Sequence, residues 1–214
     1  MSATRRRVLA ALATGGSLLA GGCLGQGGGG AATTAGPDAL GSPYRGAEES
    51  AVVVRAWEDF ACPHCREYNE TVVPKLQKQY LADGTVRYEH HDFPIPVTKW
   101  SWPAAIAARS VQASAGNEAF WTFTEGAFAS QNQLGWSLIR DLADRAGVDP
   151  DAVESDARQE RWRPVVDSDR SAGRDRGVEG TPTVFVGDAK VPYGKSWDGF
   201  YQNIADAIER QRDA

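Results

Sequence analysis

The chain lacks an excess of positive charge. Its 214 residues carry 23 lysines and arginines against 28 aspartates and glutamates, a net charge of −5. A dedicated nucleic-acid binder usually shows a basic excess, so that class is set aside. No apolar run reaches the roughly 18 residues that a membrane span needs, which excludes a multi-pass membrane protein. Cysteine is scarce: Cys23, Cys62 and Cys65 are too few for a small fold stapled by disulfides. Lysine occurs only at 75, 78, 99, 190 and 195, so arginine and aspartate carry most of the charge. An acidic surface of this kind is solubilising. What is present, 42% hydrophobic and 24% charged residues, is ordinary globular composition. The length suits one domain of roughly 150 residues with appendages.

Residues 1–22 read as an export signal. Thr4-Arg5-Arg6-Arg7-Val8-Leu9 supplies a positive start, and the apolar run from Val8 to Ala20 is short and glycine-interrupted, better suited to a signal core than to a span. The start resembles a twin-arginine export motif. Leu19-Ala20-Gly21-Gly22-Cys23 resembles a lipobox, where the peptide is cut before the cysteine and the thiol is lipidated. That resemblance implies a lipid anchor on Cys23 and a protein held at a membrane, facing the extracytoplasmic side. The bland alternative is a plain signal peptide with an incidental cysteine. Loss of residues 1–22 takes the net charge from −5 to −8, because it removes Arg5, Arg6 and Arg7. From Leu24 to about Ser50 the chain contains Gly27 to Gly30, Ala31-Ala32-Thr33-Thr34 and Gly41-Ser42-Pro43, with almost nothing to bury. It is expected to behave as a flexible tether with a reach of roughly 30 Å.

The folded part is expected over residues 51–212. Ala51 to Trp57 is β-branched and short, a buried strand. A helix begins at Cys62, since Pro63 suits the first helical turn, and Tyr68, Val72, Leu76 and Tyr80 recur at helical spacing. Pro74 should kink that helix. After a turn at Asp83-Gly84, Thr85 to Asp92 reads as a second strand, completing a βαβ unit. From about 98 to 177 the pattern is helical: Pro103 to Ala115, a segment around Phe120-Trp121-Thr122-Phe123 to Phe128, one carrying Leu138, Ile139, Leu142 and Ala146, one opened by Asp149-Pro150, and one carrying Val165-Val166. Thr183 to Val186 and Lys190 to Tyr193 are short strands, and Trp197 to Arg210 is an amphipathic helix.

Cys62-Pro63-His64-Cys65 is the strongest chemical signal. Two cysteines two residues apart at a helix start can close a disulfide within one turn. The Cys62 sulfur would sit over free amides and the positive end of the helix dipole, which favour an anion. The thiolate is the reactive species, so a lowered pKa makes it a ready nucleophile and a good leaving group. His64 adds a donor or a positive charge close by. Half a zinc site is the competing reading, but no second cysteine pair exists and His90 and His91 would have to complete it. A purely structural bridge over so short a loop would constrain little.

Gly180-Thr181-Pro182-Thr183 is the second signal. It follows the helical insertion and precedes a β-branched strand, where a thioredoxin fold places a cis-proline facing its redox cysteines. With Glu58-Asp59-Phe60-Ala61-Cys62-Pro63-His64-Cys65, Asp92-Phe93-Pro94, Ala119-Phe120-Trp121 and Gly180 to Val186, the sequence over about 50–212 resembles the DsbA-like disulfide oxidoreductases of the thioredoxin superfamily. The resemblance implies an α/β fold, a thioredoxin-like core with a central β-sheet flanked by helices and a helical insertion after the second strand. It implies that Cys62 attacks, that Cys65 is the buried resolving thiol, and that Pro182 and the Thr181 backbone hold the substrate chain. One departure stands out. Some relatives place a buried carboxylate in the first strand beneath the cysteines; here Arg55 and Ala56 occupy that part, leaving Glu58 and Asp59 as the nearest acids.

Other residues read more plainly. His90 and His91 are expected as packing or surface residues, and Trp121, Phe123 and Phe128 as core of the insertion. Asn69-Glu70-Thr71 is a glycosylation sequon, but it falls within a helix beside the site, where no sugar is expected. Together these readings describe a protein-disulfide oxidoreductase, without cofactor or metal, that donates disulfides to reduced exported proteins and is recycled by a membrane redox partner. A reductase or isomerase is the alternative within the enzyme class. A non-enzymatic lipoprotein holding copper(I) through two thiols is the alternative outside it.

Overall fold

The structure, a computed structural model, describes residues 40–213. The expected signal, Cys23 and the tether up to residue 39 lie outside the described residues. Five strands form one mixed sheet in the order β1-β3-β2-β4-β5. The centre is β2 (Val52–Glu58) running parallel to β3 (Val86–Asp92), with Val54 beside Tyr88, Ala56 beside His90 and Glu58 beside Asp92. β4 (Thr183–Val186) pairs antiparallel with β2, and the two-residue β5 (Ala189–Lys190) with β4. Because side chains alternate along a strand, Val54, Ala56 and Glu58 share one face with Tyr88, His90 and Asp92. Arg55 and Trp57 share the other with Glu89 and His91.

The chain from 44 to 46 corrects the expectation of a tether reaching Ser50. Tyr44–Gly46 forms β1, antiparallel to β3. Three residues directly after Pro43, the last of them Gly46 at φ +82°, are too few for an alternation to show. Distant side chains complete its backbone bonding. The Asn117 side chain accepts from Tyr44 N–H at 2.8 Å and donates to Tyr44 C=O at 2.6 Å, and Trp121 Nε1 donates to the same carbonyl at 2.7 Å. These contacts occupy an edge that would otherwise offer bare donors and acceptors. The strand before the insertion is therefore the third in chain order.

Helix α1 (Pro63–Thr71) starts as the sequence predicts, with Cys62 as an extended N-cap and Pro63 in the first turn. The proline at 74 does more than kink it: α1 ends, a single turn α2 (Val73–Leu76) follows, and Gln77–Leu81 continues as a π-helical turn. The insertion lies between β3 and β4. Its two expected leading helices form one run, α3 (Ser101–Ala129), broken only in dihedral angle at Gly116, where φ is +84°. Then come α4 (Trp136–Arg145), α5 (Pro150–Arg158), capped by Asp149 as expected, and α6 (Arg163–Asp175). α7 (Trp197–Arg212) closes the chain.

Helices cover both faces of the sheet. On the face of Ala56 and His90, Phe120 of α3 packs on the His90 ring, and Phe200 of α7 packs on Tyr68 of α1. On the other face α6 comes so close that a side chain at Gly173 would lie 2.7 Å from the Trp57 ring and 2.9 Å from Phe93. The Trp57 indole N–H, which donates to Asp169 C=O at 3.2 Å, fixes that approach. Gly173→Ala should therefore overpack the contact and lower stability by about 1–3 kcal/mol, to be read as a lower denaturation midpoint with an unchanged slope.

Candidate active site

The end of β2 delivers the chain directly into the two cysteines. Cys65 has no solvent exposure and Cys62 keeps 4%; the two are unbridged. The turn before them is tied down from three sides. Cys62 N–H donates to Asp59 C=O at 3.0 Å. The buried Asp59 carboxylate accepts from Ala61 N–H at 2.8 Å and, from the loop after β3, from Ile95 N–H at 2.9 Å. Gln131, in the 3-10 turn Gln131–Gln133 after α3, donates from one amide nitrogen to Phe60 C=O at 2.9 Å and Cys62 C=O at 2.8 Å. Asp59 N–H lies 3.4 Å from the Cys65 sulfur.

The Thr181–Pro182 bond is cis and faces the pair, with the Cys62 sulfur 3.4 Å from Thr181 C=O. The Thr181 hydroxyl is buried without a hydrogen-bond partner. It is placed to donate to the sulfur when the thiol proton is gone, since a thiolate accepts but cannot donate.

The two sulfurs are driven apart in acidity. A hydrogen bond from Cys65 lowers the Cys62 pKa first; partial burial opposes it, and the Thr181 side chain and the backbone N–H groups of Cys65 and His64 lower it further, to about 5. Both backbone groups belong to the first turn of α1, at the positive end of its dipole. Cys65 goes the other way: complete burial pushes it well above the usual thiol range, with its bond to Cys62 and the charge of Glu58 adding to the rise. Burial likewise carries Asp59 up to about 6, against its backbone hydrogen bonds. The His64 side chain is 72% exposed, 3.5 Å from Glu67, so that residue assists the sulfur through its backbone rather than its ring.

Beneath Cys65 lies a polar floor that joins Glu58, one of the two nearest acids expected from the sequence, to His90, expected there only as a packing or surface residue. Glu58, 1% exposed, accepts from the Tyr88 hydroxyl at 3.1 Å and from the Asn69 amide, which also donates to Cys65 C=O at 2.9 Å. The sequon asparagine thus has its side-chain nitrogen committed inward. His90, fully buried, stands 3.5 Å from Glu58 and 3.3 Å from Asp92. His91 is separate: it stacks on Trp57 on the opposite face, between Glu89 and Asp169. The period-two alternation of Tyr88, His90 and Asp92 was the available signal for this floor. Trp121, Phe123 and Phe128 are buried as expected, Phe128 stacking on Phe60 at 5.1 Å. Among the described residues, no three His, Cys, Asp or Glu side chains are grouped to hold a metal ion.

A thioredoxin-type sheet carrying a dithiol at a helix start, faced by a cis-proline, defines a thiol:disulfide oxidoreductase. The thioredoxin family model matches residues 38–206, and the chain belongs to that family. It is 26% identical over 181 residues to disulfide bond formation protein D of Bacillus subtilis, covering 82% of this chain and 79% of that protein. The crystal structure of oxidised BdbD from Bacillus subtilis aligns with a TM-score of 0.74 at 25% identity, over 81% of this chain and 94% of that one. Chlamydia trachomatis DsbA shares the fold, with a TM-score of 0.70 at 18% identity over 80% and 92% of the two chains. The enzyme is a protein-disulfide oxidoreductase of the DsbA-like group.

The acidity of Cys62 sets a pH dependence. Its folded pKa, about 5, lies below the unfolded thiol value of about 8.5. The resulting stabilisation of the reduced protein is fully present above the unfolded value and is lost as pH falls through the folded one. Denaturant melts of reduced and oxidised protein should show the reduced form losing stability relative to the oxidised form between about pH 8.5 and 5. Alkylation of a single thiol should fall away with a midpoint near 5.

Proposed function

We propose that the protein is a membrane-tethered, extracytoplasmic oxidant that passes a Cys62–Cys65 disulfide to reduced exported proteins. The observation that carries this reading is the opposed acidity of the two sulfurs, Cys62 lowered to about 5 and Cys65 raised. A pair whose reduced form is stabilised as a thiolate gives up its disulfide readily. A substrate thiolate attacks the Cys62 sulfur, forming a mixed disulfide while the bond to Cys65 breaks and Cys65 leaves and takes up a proton. A second substrate thiolate then attacks the substrate sulfur, and Cys62 leaves as the stable thiolate. The substrate has lost two electrons and the enzyme has gained them, so a membrane redox partner must reoxidise the pair. The name of the Bacillus subtilis relative, a disulfide bond formation protein, favours this direction.

Substrate chains have a place to lie. Pro182 borders a hollow lined also by Thr183, Lys190, Val191, Pro192, Tyr193 and Phe200, and Tyr193 is among the few large apolar side chains left exposed among the described residues. In this reading an extended peptide rests along Thr181 and Pro182 while its thiolate meets Cys62.

Cys62→Ser should abolish oxidation of a reduced test protein. Cys65→Ser cannot close the Cys62–Cys65 disulfide; given a substrate in its disulfide form, the Cys62 thiolate should attack it, expel one substrate thiolate and accumulate as a mixed disulfide, visible on non-reducing gels, because Cys65 is no longer there to displace the substrate. Equilibration of the wild-type pair with glutathione decides the direction: a pair that stays oxidised in excess reduced glutathione is a reductase, not an oxidant.

The anchor rests on the lipobox-like Leu19 to Cys23. One acyl chain holds a protein only marginally at a membrane, and the acidic domain offers no polybasic contact, so at least two chains are expected on Cys23. Mass spectrometry of the membrane fraction should find a mature chain starting at lipidated Cys23, and Cys23→Ser should release it with its thiol exchange intact. An unmodified Cys23 removes the anchor from the proposal and leaves the oxidant reading standing.

A further inference from the structure

The reaction of the two sulfurs does not explain why a histidine is sealed beneath them. His90 has no exposed surface. Its ladder neighbour on β2 is Ala56, whose single methyl leaves the ring room. Rings of Phe60, Phe120 and Trp121 close around it at centroid distances of 5.5, 5.3 and 6.2 Å. Its polar neighbours are two carboxylates, Glu58 at 3.5 Å from Nδ1 and Asp92 at 3.3 Å from Nε2. Asp92 is already answered by Arg109 of α3, 2.6 Å away. Glu58 is met by the neutral donors Tyr88 and Asn69, and His90 is the charged group nearest to it. The same Asn69 nitrogen that holds Glu58 also holds the Cys65 carbonyl, so this carboxylate is one side chain removed from the resolving cysteine.

We propose that His90 is a positioning residue for the thiol exchange: clamped between Glu58 and Asp92, its ring balances the Glu58 charge under Cys65 and thereby sets the oxidising strength of the Cys62–Cys65 pair. The inference rests on the thiol-exchange reading of that pair and extends it to a group that never touches substrate.

The electrostatics follow from burial. Glu58 opposes a negative sulfur above it and contributes to the raised pKa of Cys65. Burial by itself would make His90 hard to protonate. Its hydrogen bond to Asp92, and the charges of Asp92 and of Glu58 3.5 Å from Nδ1, outweigh that cost and carry it up to about 9. The ring is therefore positive at neutral pH and offsets the Glu58 charge that bears on the dithiol at Cys65. The groups that bear on this charge are Glu58 from β2, Tyr88 and Asp92 from β3, Arg109 from α3, and Asn69, Tyr68 and Cys65 from α1. In so dry a region an unbalanced unit charge acts over several ångströms with little screening.

The test is the equilibrium of the full-length protein with glutathione. His90→Gln leaves Glu58 unanswered, disfavours the thiolate state, and should make the pair less oxidising by on the order of tenfold. Glu58→Gln leaves the ring charge unanswered and should shift the equilibrium the other way by a similar factor. The double variant should return close to wild type. A purely structural role for His90 predicts lower stability without these opposed shifts. Two single variants moving in the same direction, two that do not move, or a double variant that fails to return would each overturn the proposal.

A buried unpaired charge can unfold a variant, so a second measurement uses the wild type alone. Coupling is reciprocal: if His90 acts on the sulfurs, its own titration must respond to them. With histidine-labelled protein, the His90 ring should titrate at higher pH in the reduced form, which carries the Cys62 thiolate, than in the oxidised form. Identical titrations in both forms would sink the idea. Failure here is distinguishable from failure of the oxidant reading, which depends on the wild-type equilibrium itself rather than on differences among variants.

Discussion

Arg109 enters the interior from α3 with no solvent exposure and meets carboxylates from two other parts of the chain. Its Nε lies 2.6 Å from Asp92 at the end of β3, and its other end 2.6 Å from Asp169 on α6. Neither partner is close in sequence, so the guanidinium locks the insertion to the sheet in one arrangement. Removing one member of such a buried set is costly, about 3–5 kcal/mol, because the others are left charged and unpaired. The catalytic end depends on this lock. Asp92 orients His90, His90 faces Glu58, and Glu58 shares Asn69 with Cys65. The insertion thus supports the floor of the site through a chain of charges, and its rim through Gln131 on the Phe60 and Cys62 carbonyls.

The chemistry follows from a difference in surroundings between two identical side chains three residues apart. Cys62 sits where the backbone has spare donors and where Thr181 offers a hydroxyl; Cys65 sits one turn on, inside the core, over a carboxylate. One sulfur is stabilised as an anion and the other is denied that state. Helix α1 contributes to that inequality by its orientation, which leaves Pro63 and His64 exposed while Cys65 is turned into the core.

Much of this was legible in residues close together in the chain. Cys62-Pro63-His64-Cys65 announces a helix start because proline suits the first turn, and the N-terminal amides then lie where the first sulfur must be. The β-branched runs of β2 and β4, the Asp149 cap and the Pro74 break are likewise decided within a few residues. The floor of the site was harder to see. Glu58 and His90 are 32 positions apart and become neighbours only through the register of two parallel strands. Gln131, about 70 positions from the carbonyls it holds, carries no local mark at all. Asn69 read as a sequon, because only the fold turns its amide inward.

By itself the sequence determined the cysteine pair at a helix start, the helix that presents it, the thioredoxin-like order of elements and the acidic character of the domain. These depend on backbone geometry and on interactions within a turn or a strand, which neighbouring residues control. Tertiary structure alone decided that Tyr44–Gly46 is an edge strand and that two carboxylates and a histidine form a buried charged floor. It also decided that burial and the Glu58 charge push Cys65 the opposite way from Cys62. Burial and charge compensation are properties of distant groups brought together, and a strand or helix read on its own has no access to what will be packed against it.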